Sequence, residues 1–123
     1  MGLDLTLLPA YSMTAGDMSL DILRLFETGD LWDPIQAIES SLVPVGFRSW
    51  LALHQNTGCR YDGERTFGET RTDAHGKRLR MVDAGDLVKL AEHPAWRAHP
   101  RNVAALAYLR ALPTDWPVVL YWH

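Results

Sequence analysis

Leu3, Leu5 and Leu7 alternate with Asp4 and Thr6. A period of two puts alternate side chains on opposite faces of a strand, so this stretch predicts a half-buried strand that Pro9 ends. Residues 12–17 supply turn chemistry, and Met18, Leu20 and Ile22 then alternate with Ser19 and Asp21. Leu23, Leu25 and Phe26 break that alternation. The pattern favours a strand over residues 18–26, forming an N-terminal hairpin with the first. At the other end, Val118-Val119-Leu120-Tyr121-Trp122 is a continuous apolar run, which reads as an internal strand. Chain ends fray unless a sheet or a packed helix holds them. Both end strands are therefore expected in one sheet, in a domain without a tail, and the strand order stays open.

Between the ends the period lengthens. Thr28-Gly29-Asp30 reads as a helix start, with Leu31, Ile35 and Ile38 on one face and Pro34 tolerated only in the first turn. That helix should stop near Ser40. Residues 42–46 read as an extended linker, residues 47–53 as a short apolar segment of either type, and residues 55–66 as a polar loop. Residues 69–72 and 78–82 flank Asp73-Ala74-His75-Gly76-Lys77, where Asp opens a turn and Gly supplies a positive φ, a β-hairpin signature. Asp83 with Asp86 reads as a helix N-terminus; Leu87, Leu90 and Ala91 give it an apolar stripe that stops at His93-Pro94. A last helix runs from Pro100 to Leu112, with Val103, Leu106, Ala107, Leu109 and Arg110 spaced for one buried face. The fold class expected is α+β: a single domain in which an antiparallel sheet containing both chain ends packs with about three helices.

Composition narrows the class. With 47% apolar and 22% charged residues the chain matches an ordinary globular protein rather than a disordered one. No apolar run approaches the roughly 20 residues that span a bilayer, so no membrane partner is expected. Asp4 stands where a secretion signal would carry a basic residue. Cys59, the single cysteine, makes no internal disulfide and fits a reducing cytoplasm; it reads as a loop thiol rather than a nucleophile. Charge is uneven. Residues 1–45 carry seven acids and one base, Arg24, whereas residues 60–82 carry six bases and four acids. Segregation of this kind bears on association and steering, not on fold.

The candidate chemistry is sparse. The five histidines show no i, i+4 pair and no cysteine partner, so neither a metal site nor a cofactor is expected. His99 is placed to cap the helix from Pro100, and His93 to sit near a helix C-terminus where its charged form is favoured. Glu69, Arg71, Asp73 and His75 fall at alternate positions along the hairpin. An acid, a base and a histidine close together could bind phosphate or move protons, while cross-strand charge pairing with Lys77, Arg78 and Arg80 explains the same residues without chemistry. Arg60 and Arg65, with Tyr61 and Phe67 for stacking, would join them in a nucleic-acid surface, against which the acidic balance of the whole chain argues. Among the five tryptophans, Trp122 reads as core. Trp96, between two helices and beside Arg97, reads as an exposed anchor. The binding candidates are thus Arg71, Asp73, His75, Arg78, Arg80 and Trp96, with no catalytic residue assigned.

Three blocks of sequence carry a resemblance: the opening Gly2-Leu3-Asp4-Leu5-Thr6-Leu7-Leu8-Pro9, the central Phe67-Gly68-Glu69-Thr70 with Thr72-Asp73-Ala74-His75-Gly76, and the ending Ala111-Leu112-Pro113 with Leu120-Tyr121-Trp122-His123. In these the chain resembles small proteins encoded by bacteriophages and prophages, to which no reaction is assigned, so no catalytic residue carries over. The resemblance implies a phage accessory protein in the bacterial cytoplasm. Such proteins bind and modulate or block host protein complexes, CRISPR and other defence systems included. A bacterial host protein is therefore the expected partner, with nucleotides or nucleic acid, bound through the 69–80 hairpin by a small enzyme or binder, as the alternative.

Overall fold

Strand β1 (Leu5–Pro9) and the last strand, β7 (Pro117–Trp122), lie side by side and antiparallel, in register from Leu5 opposite Trp122 to Pro9 opposite Val118. The computed structural model describes residues 3–10, 21–44, 46–49, 68–69 and 71–123. Its larger sheet has five antiparallel strands in the order β2-β1-β7-β6-β3, where β2 is Leu23–Arg24, β3 is Ser41–Leu42 and β6 is Arg80–Asp83. The C-terminal strand is thus the central one. A two-stranded ladder pairs β4 (Arg48–Ser49) with β5 (Gly68–Glu69). Among the described residues the α-helices are α1 (Trp32–Gln36), α2 (Ala84–Val88) and α3 (Pro100–Ala111), which makes the arrangement α+β.

The sheet is buried on both faces, which the alternation at Leu3–Leu7 did not predict. Leu5, Leu7, Val82, Val118, Leu120 and Trp122 pack toward the helices with Leu31, Ile35, Leu87, Trp96 and Leu109. Leu8, Ala10, Val119 and Tyr121 point the other way and pack with Val43, Phe47 and Leu79. Thr6 lies on that second side at 2% exposure, so the polar positions of β1 do not face water. Its hydroxyl is bonded to the Nε2 of His123 at 2.9 Å, which satisfies the group that burial would otherwise penalise.

Several elements differ from the periodicity in instructive ways. The strand expected over 18–26 is reduced to Leu23–Arg24 among the described residues; Phe26 and Glu27 turn, with Glu27 at φ 54°. Residues 18–20, the loop 55–66 and residues 50–53 lie outside the described residues. The linker at 42–46 begins in β3, because Leu42 pairs with Arg80 at the sheet edge. The helix at Leu31 buries its predicted face but ends at Gln36, short of Ser40, and a 3-10 turn over Gly29–Leu31 precedes it. Asp83 does occupy the N-cap position of α2, without a side-chain bond. That helix starts where Gly85 meets the backbone of Thr114: a Cβ there would stand 2.9 Å from the Thr114 carbonyl oxygen, so only glycine fits. It ends at Val88, and turns carry the chain on to His93.

In α3 the buried residues are Asn102, Ala105, Leu106 and Leu109, while Val103 is 51% exposed and Ala107 is exposed. The predicted face is rotated because a polar residue, Asn102, is the one that faces inward. Its side chain accepts from the Phe26 N–H (2.8 Å) and donates to the carbonyls of Phe26 (2.7 Å) and Ala95 (2.8 Å). Those bonds tie the turn after β2 to the 3-10 turn Pro94–Arg97 and to α3. Both histidines cap. Nδ1 of His99 accepts from the Arg101 N–H, and Nδ1 of His93 accepts from the Ala95 N–H, each at 3.1 Å. His93 therefore acts as the N-cap acceptor of the 3-10 turn that follows it.

Candidate functional site

The hairpin forms as the turn residues demand, but narrowly. Its arms meet at Thr72 and Arg78, and Gly76 takes φ 81° at the tip. Asp73 is only 8% exposed; its Oδ1 accepts the backbone N–H groups of His75 (2.8 Å) and Lys77 (3.1 Å). Such a carboxylate mimics a backbone turn and fixes the course of the next few residues. The Ala74 N–H donates to the Trp122 carbonyl at 3.0 Å, so the turn is stapled to the end of the central strand. The backbone of Glu69 pairs with that of Arg48 in the small ladder.

Two non-local pairings then build a cleft beside the turn. Pairing of β3 with β6 at Ser41–Met81 and Leu42–Arg80 draws Ser40 and the end of α1 across the sheet. The staple at Trp122 holds the hairpin on the other side. Between them lies a cleft of about 80 Å³ lined by Trp32, Ser40, Asp73, Lys77, Arg78 and Arg80, with Leu120 and Trp122 as its floor. Trp32 stands edge-on to Trp122 at 4.8 Å and 67°. The Lys77 ammonium sits over the Trp32 ring at 5.8 Å, Arg78 donates to the Val43 carbonyl (3.2 Å), and Arg80 donates to the Ser40 hydroxyl (2.7 Å) and carbonyl (3.2 Å).

Each of these cations is oriented by a neutral partner. None forms an ion pair among the described residues, and the one carboxylate in the lining, Asp73, is engaged by backbone N–H groups. The cross-strand charge pairing weighed from the sequence is thus not what holds Lys77, Arg78 and Arg80. Their charge stays available to a ligand, on side chains whose rotamer freedom is already reduced. At about 80 Å³ the cleft admits a carboxylate or phosphate group but not a nucleoside, since whole small-molecule sites run to about 300 Å³ and more.

Of the six residues expected to bind, Asp73, Arg78 and Arg80 come together here. His75 is exposed at the tip, and Arg71 is exposed with its carbonyl accepting the Leu79 N–H at 3.1 Å; neither lines the cleft. Trp96 is corrected outright: at 1% exposure it is a core residue packed with the helices, not an anchor. Its neighbour Arg97 is exposed, and the indole goes inward because Pro94 starts a 3-10 turn that aims it at the core. Arg60, Tyr61, Arg65, Phe67 and Cys59 lie outside the described residues. Lys77, Trp32 and Ser40 were not among the expected binders. Lys77 was legible as a hairpin cation; Trp32 and Ser40 gave no signal, because β3–β6 pairing alone brings them in.

A second polar group sits at the end of the sheet. His123 bonds Thr6 through its side chain and the Asp4 carbonyl through its N–H at 2.9 Å, while Asp4 Oδ1 accepts the Thr28 N–H at 3.2 Å. Burial pushes the His123 pKa below its usual 6.5, with the charges of Arg24 and His75 adding to the drop and Asp4 opposing it. Burial, reinforced by Asp73, raises that of Tyr121. With Thr6 at 2% exposure, the hydroxyl beside His123 is closed to a substrate, so this cluster is structural. Among the described residues no three His, Cys, Asp or Glu side chains gather to hold a metal, and no helix is long and apolar enough to cross a membrane. Compared with family models, curated proteins and solved structures, the chain matches none.

Proposed function

We propose that this chain is a binding protein whose hairpin cleft receives an acidic group presented by a bacterial protein, in the manner of the phage accessory proteins its motifs resemble. One observation carries the reading: Lys77, Arg78 and Arg80 converge on a single cleft, each held by a neutral partner and none by a carboxylate. The size of the cleft favours one protruding group over a whole ligand. A net charge of −3 argues against a polyanion, because nucleic-acid affinity grows with the number of phosphates neutralised.

The test is recovery of a stoichiometric partner from bacterial lysate by the tagged chain, treated with nuclease, beside the Lys77→Glu/Arg80→Glu double variant. An acidic protein retained by the first and lost from the second, with equal amide spectra for both, is the expected result. Equal retention by the variant would sink the reading. Recovery of nucleic acid that nuclease removes would replace it with the phosphate-binding alternative.

A further inference from the structure

On the far edge of the sheet, β2 and α3 enclose a second groove of about 320 Å³, lined by Asp21, Ile22, Leu23, Arg24, Arg101 and Tyr108, with Ala104 and Ala105 behind. This volume is in the range that takes a whole small molecule. Its cations are organised by one ring. The guanidiniums of Arg24 and Arg101 stand 5.5 Å and 5.9 Å from the centre of Phe26, and His99 packs against the same ring at 4.5 Å. Phe26 is itself clamped at both backbone polar atoms by the fully buried Asn102. A cation over a ring is held by the ring's negative face and leaves its N–H donors unused.

The groove also carries one acid, Asp21, whose Oδ1 accepts the Ile22 N–H at 2.7 Å. Neither arginine forms an ion pair with it or with any other carboxylate among the described residues. Opposite charges therefore line one groove without a direct ion pair between them. Tyr108 feels the acid: burial first, and then the Asp21 charge, raise the pKa of its hydroxyl, which stays protonated and able to donate. Between the charges the surface is apolar, from Ile22, Leu23 and Ala105. A simple anion would meet Asp21 and a simple cation would meet two arginines.

We infer that the groove binds a free α-amino acid with an apolar side chain, its carboxylate on Arg24 and Arg101 and its ammonium toward Asp21. The site is separate from the hairpin cleft and does not rest on the proposal made for it. Leucine, 4-methylpentanoate (the same molecule without the amine) and 3-methylbutylamine (without the carboxylate) test it on the full chain by NMR. Leucine in the millimolar range should shift the Tyr108 and Phe26 ring resonances, 4-methylpentanoate should bind several-fold more weakly, and the amine should not bind. Arg101→Gln should abolish leucine binding. Asp21→Asn should bring leucine and 4-methylpentanoate to similar affinity. Asp21 and Arg101 are both exposed, so the variants should keep the wild-type amide spectrum. Unchanged rings at saturating leucine, equal binding of leucine and 4-methylpentanoate by the unmodified chain, or undiminished binding by Arg101→Gln would each overturn the inference.

Discussion

Among the described residues the hairpin cleft and the β2–α3 groove both present cations without an ion-pair partner, and they hold them by different physics. In the cleft, hydrogen bonds do the orienting: Arg78 and Arg80 are fixed by the Val43 and Ser40 oxygens, and only Lys77 rests on a ring. In the groove a single phenylalanine orients both arginines. Hydrogen bonds are directional and consume donors, which leaves a tight site for one group. A ring fixes position but no donor, which leaves a wider site whose forks can still rotate. The cleft depends on strand pairing and the groove on one buried asparagine, so each can be broken separately.

The largest effect should come from Asn102→Ala. It strands the N–H and the carbonyl of half-buried Phe26, while the Ala95 carbonyl loses the amide but keeps the Ala98 N–H. An unsatisfied buried group costs about 1–3 kcal/mol, and the two on Phe26 with the lost bond to Ala95 should together cost about 3 kcal/mol. Urea unfolding measures this. Where the variant still folds, the Phe26 ring resonance should lose its dispersion while Lys77 and Trp32 keep theirs, since nothing in the cleft touches Asn102.

Asp73→Ala is the counterpart on the other side. Loss of two N–H acceptor contacts in the turn should cost about 1–2 kcal/mol and loosen the ladder at Thr72–Arg78. Asp73→Asn retains Oδ1 and should cost less. It should also bring the Tyr121 pKa back toward its usual value, leaving only the part due to burial, which ultraviolet titration reads. Equal destabilisation by both variants would show that the negative charge, not the turn geometry, holds the cleft wall.

How much of this was legible in the sequence depends on the range of the interaction. The end strands, the turn at Asp73–Gly76 and the His99 cap are local or continuous patterns, and all three are found in the structure. Strand β2 falls inside the stretch 18–26 read as the partner of the first strand, whereas two-residue β3 has no period to read and its partner in β6 creates it. The face of α3 was misplaced because hydropathy assigns asparagine to water, whereas Asn102 is drawn inward by backbone groups 7 and 76 residues away in sequence. The same limit explains the sites. Arg78 and Arg80 stood out as a basic cluster, but Trp32, Ser40, Phe26 and Arg101 join their sites only through the fold.

Burial chiefly lowers the His123 pKa below 6.5, and Arg24 of the groove and His75 of the hairpin add to the drop, so His123 lies between the two regions electrostatically. A depressed histidine pKa means that the unfolded chain takes up the proton first. Stability should therefore be full above about pH 6.5, fall as the pH drops below it, and level off once the folded form is protonated too. His123→Gln should flatten that part of the pH profile. Arg24→Gln should narrow the window by raising the folded pKa, and no change with Arg24→Gln would uncouple the sheet end from the groove.

The smallest effect sharpens the comparison at the corner that carries Phe26. Glu27 adopts φ 54°, a left-handed conformation that costs a side-chain-bearing residue about 1–2 kcal/mol. Glycine would remove that strain but add about 0.5–1 kcal/mol of backbone entropy lost on folding. The two nearly offset, so Glu27→Gly should stabilise by about 0.5 kcal/mol, seen as a slightly higher urea midpoint at constant slope. Glu27 is exposed, and the turn it makes aims Phe26 at Asn102. If glycine instead lowers the midpoint, the corner draws more from the glutamate side chain than its left-handed backbone costs. If the midpoint rises and leucine binding in the groove is unchanged, Phe26 is held by Asn102 alone, and the groove's platform is independent of the strain beside it.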